Sequence, residues 1–232
     1  MEDQDESVLE VYTRREVVAA TLWLHGLGVN ASDLNAILVN LEQTRELGVH
    51  YLAPNAPIRP ITVNDGRPAR AWYDVAGAPE EVPGDRAGIE ASARWIRSLL
   101  KREAERGIPS EATILAGFSQ GGALALHLGL RLPTSLAGIV VLAGELLLPE
   151  TLAEERHPAN ADTPIVMIHG ADDPIVPLAV AEASRDRLRD LGYQVEWHEV
   201  AGGHKVAPET VDLVDRWMHE RLEAVATTPV RP

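Results

Sequence analysis

Residues 112–130 read Ala-Thr-Ile-Leu-Ala-Gly-Phe-Ser-Gln-Gly-Gly-Ala-Leu-Ala-Leu-His-Leu-Gly-Leu and change character at Gly117. Ala112 to Ala116 is a short apolar run suited to a buried strand. Ala123 to Leu132 is rich in helix formers. Between them stands Gly117-Phe118-Ser119-Gln120-Gly121-Gly122, a G-x-S-x-G pattern. Strand, tight turn and helix with serine at the turn is the arrangement in which a strained backbone lifts a hydroxyl out of a sheet. Glycines on either side leave room for the strand and helix to approach closely. The Gln120 N–H, at the start of the helix, would face a developing negative charge.

A serine hydroxyl is a weak nucleophile near neutrality, so it needs a base, and the base needs an orienting carboxylate. In a parallel sheet such groups gather at the carboxyl ends of strands. Asp172 and Asp173 follow the apolar run Thr163–His169, and His204 follows Tyr193–Val200. This gives the chain order serine, acid, histidine, with both aspartates open as the acid. His169 reads as a strand-end packing residue, His127 lies about two turns along the elbow helix, and His198 alternates with buried strand positions. A second oxyanion donor is expected from the turn His25-Gly26-Leu27-Gly28, which follows the strand Val17–Leu24.

Outward from this centre, strand-like and helix-like stretches alternate, which predicts an α/β fold with a mostly parallel sheet covered on both faces. A second strand is expected at Val49–Ala53 and another at Ala137–Ala143. Helices are expected from Asp33, as N-cap, to about Glu42, and over Gly84–Arg106, Leu178–Leu191 and Val211–Ala226. The proline-rich stretch from Pro54 to Pro83 fits no regular element; a loop of that length in a compact domain usually carries function. One domain over residues 8–226 is expected, with residues 1–7 and 227–232 as frayed ends.

The 232 residues carry a formal charge of −14 and no cysteine. The charge argues against nucleic acid or an anionic membrane as partner. The missing cysteines remove disulfides and thiolate chemistry, which is compatible with a reducing compartment. The longest clean apolar stretch, Ala137 to Gly144, is too short to span a bilayer. The acidic Met1–Glu6 segment has no signal-peptide pattern, and a cytoplasmic location is expected. No HxxxH or HExxH pair suggests a metal site.

Several pieces taken together resemble the phospholipase/carboxylesterase family of α/β-hydrolases, which includes bacterial carboxylesterases related to acyl-protein thioesterases. They are Leu24-His25-Gly26-Leu27-Gly28, the segment from Pro54 to Asn64, Ala71-Trp72-Tyr73-Asp74, Gly117–Gly122, Asp173-Pro174-Ile175-Val176-Pro177 and Gly203-His204. The resemblance implies an α/β-hydrolase fold and a carboxylesterase that forms an acyl-serine, without cofactor or metal. It implies Ser119 as nucleophile, His204 as base, and Asp173 as the acid because it immediately precedes the Pro-x-Val-Pro run. It implies Leu27 and Gln120 as oxyanion donors. It makes the proline-rich loop a wall of the acyl site, with Trp72 near the pocket and Ile61 and Val176 as further contacts. Val29, Ala69 and Ala143 depart from the family's usual Asp, Met and Ser, which bears on pocket size and not on the triad.

Leu146, Leu147 and Leu148 stand together in an expected loop, where they would serve either a long acyl chain or a homodimer interface. The expected substrate is a small ester of short to medium acyl length. A thioesterase or lysophospholipase on the same triad is the alternative.

Overall fold

A computed structural model describes residues 7–77 and 85–226 of the chain. Seven strands form the main sheet: β1 (Val8–Tyr12), β2 (Ala19–Leu24), β3 (Val49–Pro54), then β6 (Thr113–Phe118), β7 (Gly138–Leu142), β8 (Ile165–Gly170) and β9 (Val195–Val200). Their spatial order is β1-β3-β2-β6-β7-β8-β9. Every pairing is parallel except that of β1 with β3. β2, β3, β7 and β8 are buried along their whole length, as a sheet covered on both faces requires.

The order places β6, which carries the elbow, in the middle of the sheet. On one face α3 (Arg86–Glu105) and α4 (Gln120–Gly129) pack Ile89, Ile96, Leu124 and Leu126 into a core that also takes Leu188 of α6 (Leu178–Asp190). On the other, α7 (Pro208–Ala226) packs Val214, Trp217, Met218 and Leu222 against Trp23, Tyr51 and Val140. The α/β class and mostly parallel sheet expected from the sequence are what the chain forms.

Three local expectations are corrected. The helix expected over Asp33–Glu42 is a 3-10 turn at Ala31–Leu34 followed by two short helices, α1 (Asn35–Leu38) and α2 (Glu42–Glu46). Its cap is Asn30, whose side chain accepts the Ser32 N–H at 2.8 Å, while Asp33 closes the capping box on the Asn30 N–H at 2.8 Å. The proline-rich stretch does contain regular structure, a hairpin of β4 (Ile58–Ile61) and β5 (Arg67–Arg70). Pro60 lies opposite Pro68, so the ladder meets its two missing N–H groups at one pair. The last part of that stretch, residues 78–83, lies outside the described residues, as does residue 84, the first of the helix expected to follow. β1 was not expected as a strand. Its Glu10 takes a 2.6 Å ion pair from Arg102 of α3, and Tyr12 stacks on His50 at 3.9 Å, which ties the antiparallel edge to the sheet.

The expectation of frayed ends falls outside the described residues except at Ser7, whose carbonyl accepts the Asn55 N–H at 2.9 Å. No helix among the described residues is long and apolar enough to cross a membrane.

Candidate active site

β6 ends and α4 begins at Ser119, which is held at φ 54°, ψ −123°. A non-glycine residue pays for positive φ with strain on the order of 1–3 kcal/mol, and it persists only where its surroundings enforce it. Here Ser119 N–H donates to Leu142 O at 2.8 Å and Ser119 O accepts the Ala123 N–H at 3.0 Å. The neighbouring glycines are required by space. A Cβ on Gly117 would overlap the Gly121 carbonyl, and one on Gly121 would overlap the Leu24 carbonyl.

The hydroxyl raised by this turn meets a histidine. Ser119 Oγ is 2.8 Å from His204 Nε2, and His204 Nδ1 is 2.7 Å from Asp173 Oδ2. An ionised carboxylate only accepts, so Nδ1 carries the proton and Nε2 accepts from the serine hydroxyl. Asp173 Oδ1 accepts two backbone N–H groups, from Ile175 at 2.8 Å and Val176 at 2.9 Å. Burial pushes the Asp173 pKa up, but the hydrogen bonds from His204, Ile175 and Val176 outweigh it and hold the carboxyl below its ordinary value.

Asp172 has an exposed side chain, and its N–H is spent on Gly202 O at 2.9 Å. Of the two aspartates, it is Asp173 that the turn after β8 brings to the histidine. His169 is buried; its Nε2 is 2.8 Å from Val176 O, so it braces the acid turn. His127 is buried in α4, and burial lowers its pKa to about 4.

The loop after β2 runs alongside the elbow. A Cβ on Gly26 would lie 3.2 Å from the Phe118 ring and 3.4 Å from Ser119 Cβ, so this loop packs closely against the elbow. Gly28 N–H donates to Arg70 O at 2.9 Å with φ 79°, which turns the chain away again. Leu27 sits between these two fixed points and is half-buried. Gln120 opens α4, where the first N–H groups have no intrahelical acceptor. Its buried side chain bridges the Trp72 N–H (Oε1, 2.9 Å) and the Tyr73 carbonyl (Nε2, 2.9 Å). Trp72 thus ties the start of α4 to the loop that carries Leu27, through the Gln120 side chain and the His25 carbonyl.

Other sequence-selected residues lie behind this surface. Trp72 and Ile61 are 0% exposed and offer no surface to a substrate. The Trp72 indole N–H donates to the His25 carbonyl at 2.8 Å and its own carbonyl takes the Ser92 hydroxyl, so it braces the loop after β2. Leu146 and Leu147 are absorbed into the chain's own core, with 6% and 8% exposure. Val176 keeps 8%. The open apolar side chains on the active-site loops are Val29, in the loop after β2, and Ile175, two residues beyond Asp173 and 64% exposed.

Sequence reading missed the wiring of the hairpin. Thr62 donates its N–H to Asp74 Oδ1 at 2.8 Å and its hydroxyl to Oδ2 at 2.5 Å. These bonds to Thr62 hold the Asp74 carboxyl below the usual aspartate range. Asp85 caps α3 through the Gly88 N–H, accepts the Asp74 N–H at 3.0 Å and pairs with Arg59 at 3.4 Å. The signal was the polar residues Arg59, Thr62 and Asp74 within a proline-rich run, where a bare loop needs none.

Comparison with known proteins bears on this geometry. The family model described as phospholipase/carboxylesterase matches residues 8–220. Acyl-protein thioesterase 1 of Gibberella zeae is 35% identical over 213 residues, covering 88% of this chain and 91% of that protein. The crystal structure of the carboxylesterase SOBER1 of Arabidopsis thaliana aligns with a TM-score of 0.84 at 28% identity, over 89% of this chain and all of that one. That of Zea mays acyl-protein thioesterase 2 aligns with a TM-score of 0.82 at 30% identity, over 93% of this chain and 99% of that one.

Proposed function

Because this chain belongs to the phospholipase/carboxylesterase family of α/β-hydrolases and is a serine hydrolase of the esterase/thioesterase kind, we propose that it hydrolyses carboxylic esters of short to medium acyl length through an acyl group on Ser119. The observation that carries this reading is the unbroken line Ser119 Oγ–His204 Nε2, 2.8 Å, and His204 Nδ1–Asp173 Oδ2, 2.7 Å, beneath a strained serine.

The steps follow from which atoms can donate. His204 Nε2 takes the hydroxyl proton as Ser119 Oγ bonds to the ester carbonyl carbon. The carbonyl oxygen becomes an oxyanion, received by the N–H groups of Leu27 and Gln120. Asp173 stabilises the imidazolium without itself taking the proton. The C–O bond to the alcohol then breaks, and His204 Nε2–H protonates the departing oxygen. Water enters, gives a proton to His204 and attacks the acyl carbon; Ser119 Oγ leaves and recovers its proton.

The acyl-length reading rests on the burial of the candidate wall. Trp72 and Ile61 have no accessible surface, and Leu146, Leu147 and Val176 have almost none. The exposed large apolar side chains on the loops after β2 and β8 are Val29 and Ile175, and the hairpin segment adds Ile58 and Val63, which would make an open rim rather than a deep groove. Each methylene that such a rim covers adds about 0.8 kcal/mol, and carbons beyond it project into water and add nothing. The test is kcat/KM on nitrophenyl esters from C2 to C16 below micelle-forming concentration, with palmitoyl-thioester and lysophospholipid comparators. A rise over the first few carbons followed by a plateau or fall supports the proposal; a steady rise through C16 overturns it. The second reading, a thioesterase acting on the same triad, is favoured by the 35% identity to a protein named acyl-protein thioesterase 1. Preference for the thioester comparator would establish it.

A further inference from the structure

His25 is 0% exposed and stands at the start of the loop that carries Leu27. A fully buried imidazole needs partners for both ring nitrogens, and here the partners dictate the tautomer. Nε2 lies 2.9 Å from the backbone N–H of Ala56, which can only donate, so Nε2 accepts and bears no proton. Nδ1 lies 2.7 Å from the Gly26 carbonyl, which can only accept, so Nδ1 carries the proton.

These bonds belong to a closed circuit around Leu27. His25 holds the Gly26 carbonyl on one side of it. On the other side the Gly28 N–H is held by the Arg70 carbonyl. The circuit closes through Ala56, whose N–H binds His25 and whose carbonyl accepts the Arg70 guanidinium at 2.9 Å. The His25 carbonyl is separately fixed by the Trp72 indole. Leu27 has no side-chain contact of this kind, so the direction of its N–H is inherited from its neighbours. We propose that neutral His25, protonated on Nδ1 alone, is the positioning residue that aims the Leu27 N–H at the oxyanion. The inference rests on the esterase reading only for the oxyanion it serves.

An oxyanion donor acts in the transition state, so a misdirected Leu27 N–H lowers kcat and leaves KM nearly unchanged. His25→Phe keeps a planar ring but supplies neither nitrogen. His25→Asn places an amide N–H near the Nδ1 position, where it can donate to the Gly26 carbonyl. With nitrophenyl butyrate, His25→Phe should lose on the order of 10² in kcat, the scale of one lost oxyanion donor, with KM within about threefold. His25→Asn should recover at least about tenfold of that loss. A His25→Phe variant within threefold of the parent, a loss confined to KM, or equal losses in both variants would overturn the proposal.

A measurement on the unaltered protein covers the case in which His25→Phe does not fold. In protein labelled with 15N-histidine at pH 7.5, the His25 ring, assigned by its disappearance in His25→Asn, should show protonated Nδ1 and unprotonated Nε2. The opposite tautomer, or an imidazolium, would overturn the proposal. Absence of ester hydrolysis in the unaltered protein would instead refute the esterase reading while leaving the tautomer result standing.

Discussion

Replacing Asp173 with asparagine should disable the site by inverting a tautomer while the fold stays intact. The structure decides which way the new amide faces. Oδ1 of Asp173 accepts two backbone N–H groups, from Ile175 and Val176, and Oδ2 accepts one from His204. Turning the asparagine NH2 toward the two backbone donors would leave both unpaired, the Val176 N–H in a buried position, at about 1–3 kcal/mol for a buried donor. The oxygen therefore stays on the backbone side and the NH2 faces His204 Nδ1. That nitrogen must then accept, which moves the ring proton to Nε2, opposite the Ser119 hydroxyl. A protonated Nε2 cannot take the serine proton. The corresponding change in a serine protease lowers turnover about 10⁴-fold, or roughly 5 kcal/mol of barrier, and the same order is expected here. The assay is nitrophenyl butyrate hydrolysis by Asp173→Asn, with circular dichroism to confirm the fold and Asp172→Asn as comparison. The exposed Asp172 side chain should be replaceable with less than a threefold effect. Retention of a tenth of the activity by Asp173→Asn, or a larger loss in Asp172→Asn, would refute the reasoning.

Two further outcomes follow from the fold. Glu155, in the short helix α5 (Leu152–Glu155), accepts from Arg86, Arg131 and Thr151; burial raises its pKa, but these bonds pull it down to about 2. Because the folded value is depressed, the stabilisation is complete above the ordinary glutamate value of about 4.3 and is lost as pH falls toward 2. Glu155→Gln should therefore cost about 1 kcal/mol in urea unfolding at pH 7, after allowance for solvent screening, and nothing near pH 2; a gap independent of pH would contradict this. Gly121→Ala would drive a methyl into the Leu24 carbonyl beneath the oxyanion loop. It should destabilise by about 3 kcal/mol or more, and a urea midpoint within about 1 kcal/mol of the parent would show that the elbow has more room than its packing allows.

The parts of the molecule that could be read from the sequence are those in which one stretch is sufficient. The runs at Ala19–Leu24, Thr113–Phe118, Gly138–Leu142 and Ile165–Gly170 are apolar because both faces of the sheet are covered, and such strands do not alternate. The serine and the acids could be singled out because each follows such a run, and the histidine because it follows the next strand, β9, although choosing Asp173 over Asp172 needed the family resemblance. What could not be read depends on partners distant in the chain. β1 holds its edge through Glu10 to Arg102, a residue on α3. The hairpin is hidden by prolines that matter only once Pro60 faces Pro68. Leu146 and Leu147 look exposed as a loop and are buried as part of the core. The family resemblance puts Trp72 near the pocket, yet its indole N–H is spent on the His25 carbonyl. His25 looks like one residue of a turn until Ala56 is brought beside its ring.

The central claim is that Ser119 forms the covalent bond. The direct measurement is to react the protein with a fluorophosphonate, digest it and locate the adduct by mass spectrometry, with hydrolysis followed in parallel. One adduct per chain is predicted, on the peptide containing Ser119, with loss of ester hydrolysis in proportion to labelling. Ser119→Ala should take no label and lose on the order of 10⁶ in turnover. An adduct on another residue, or a folded Ser119→Ala that keeps more than a few per cent of the activity, would contradict the account.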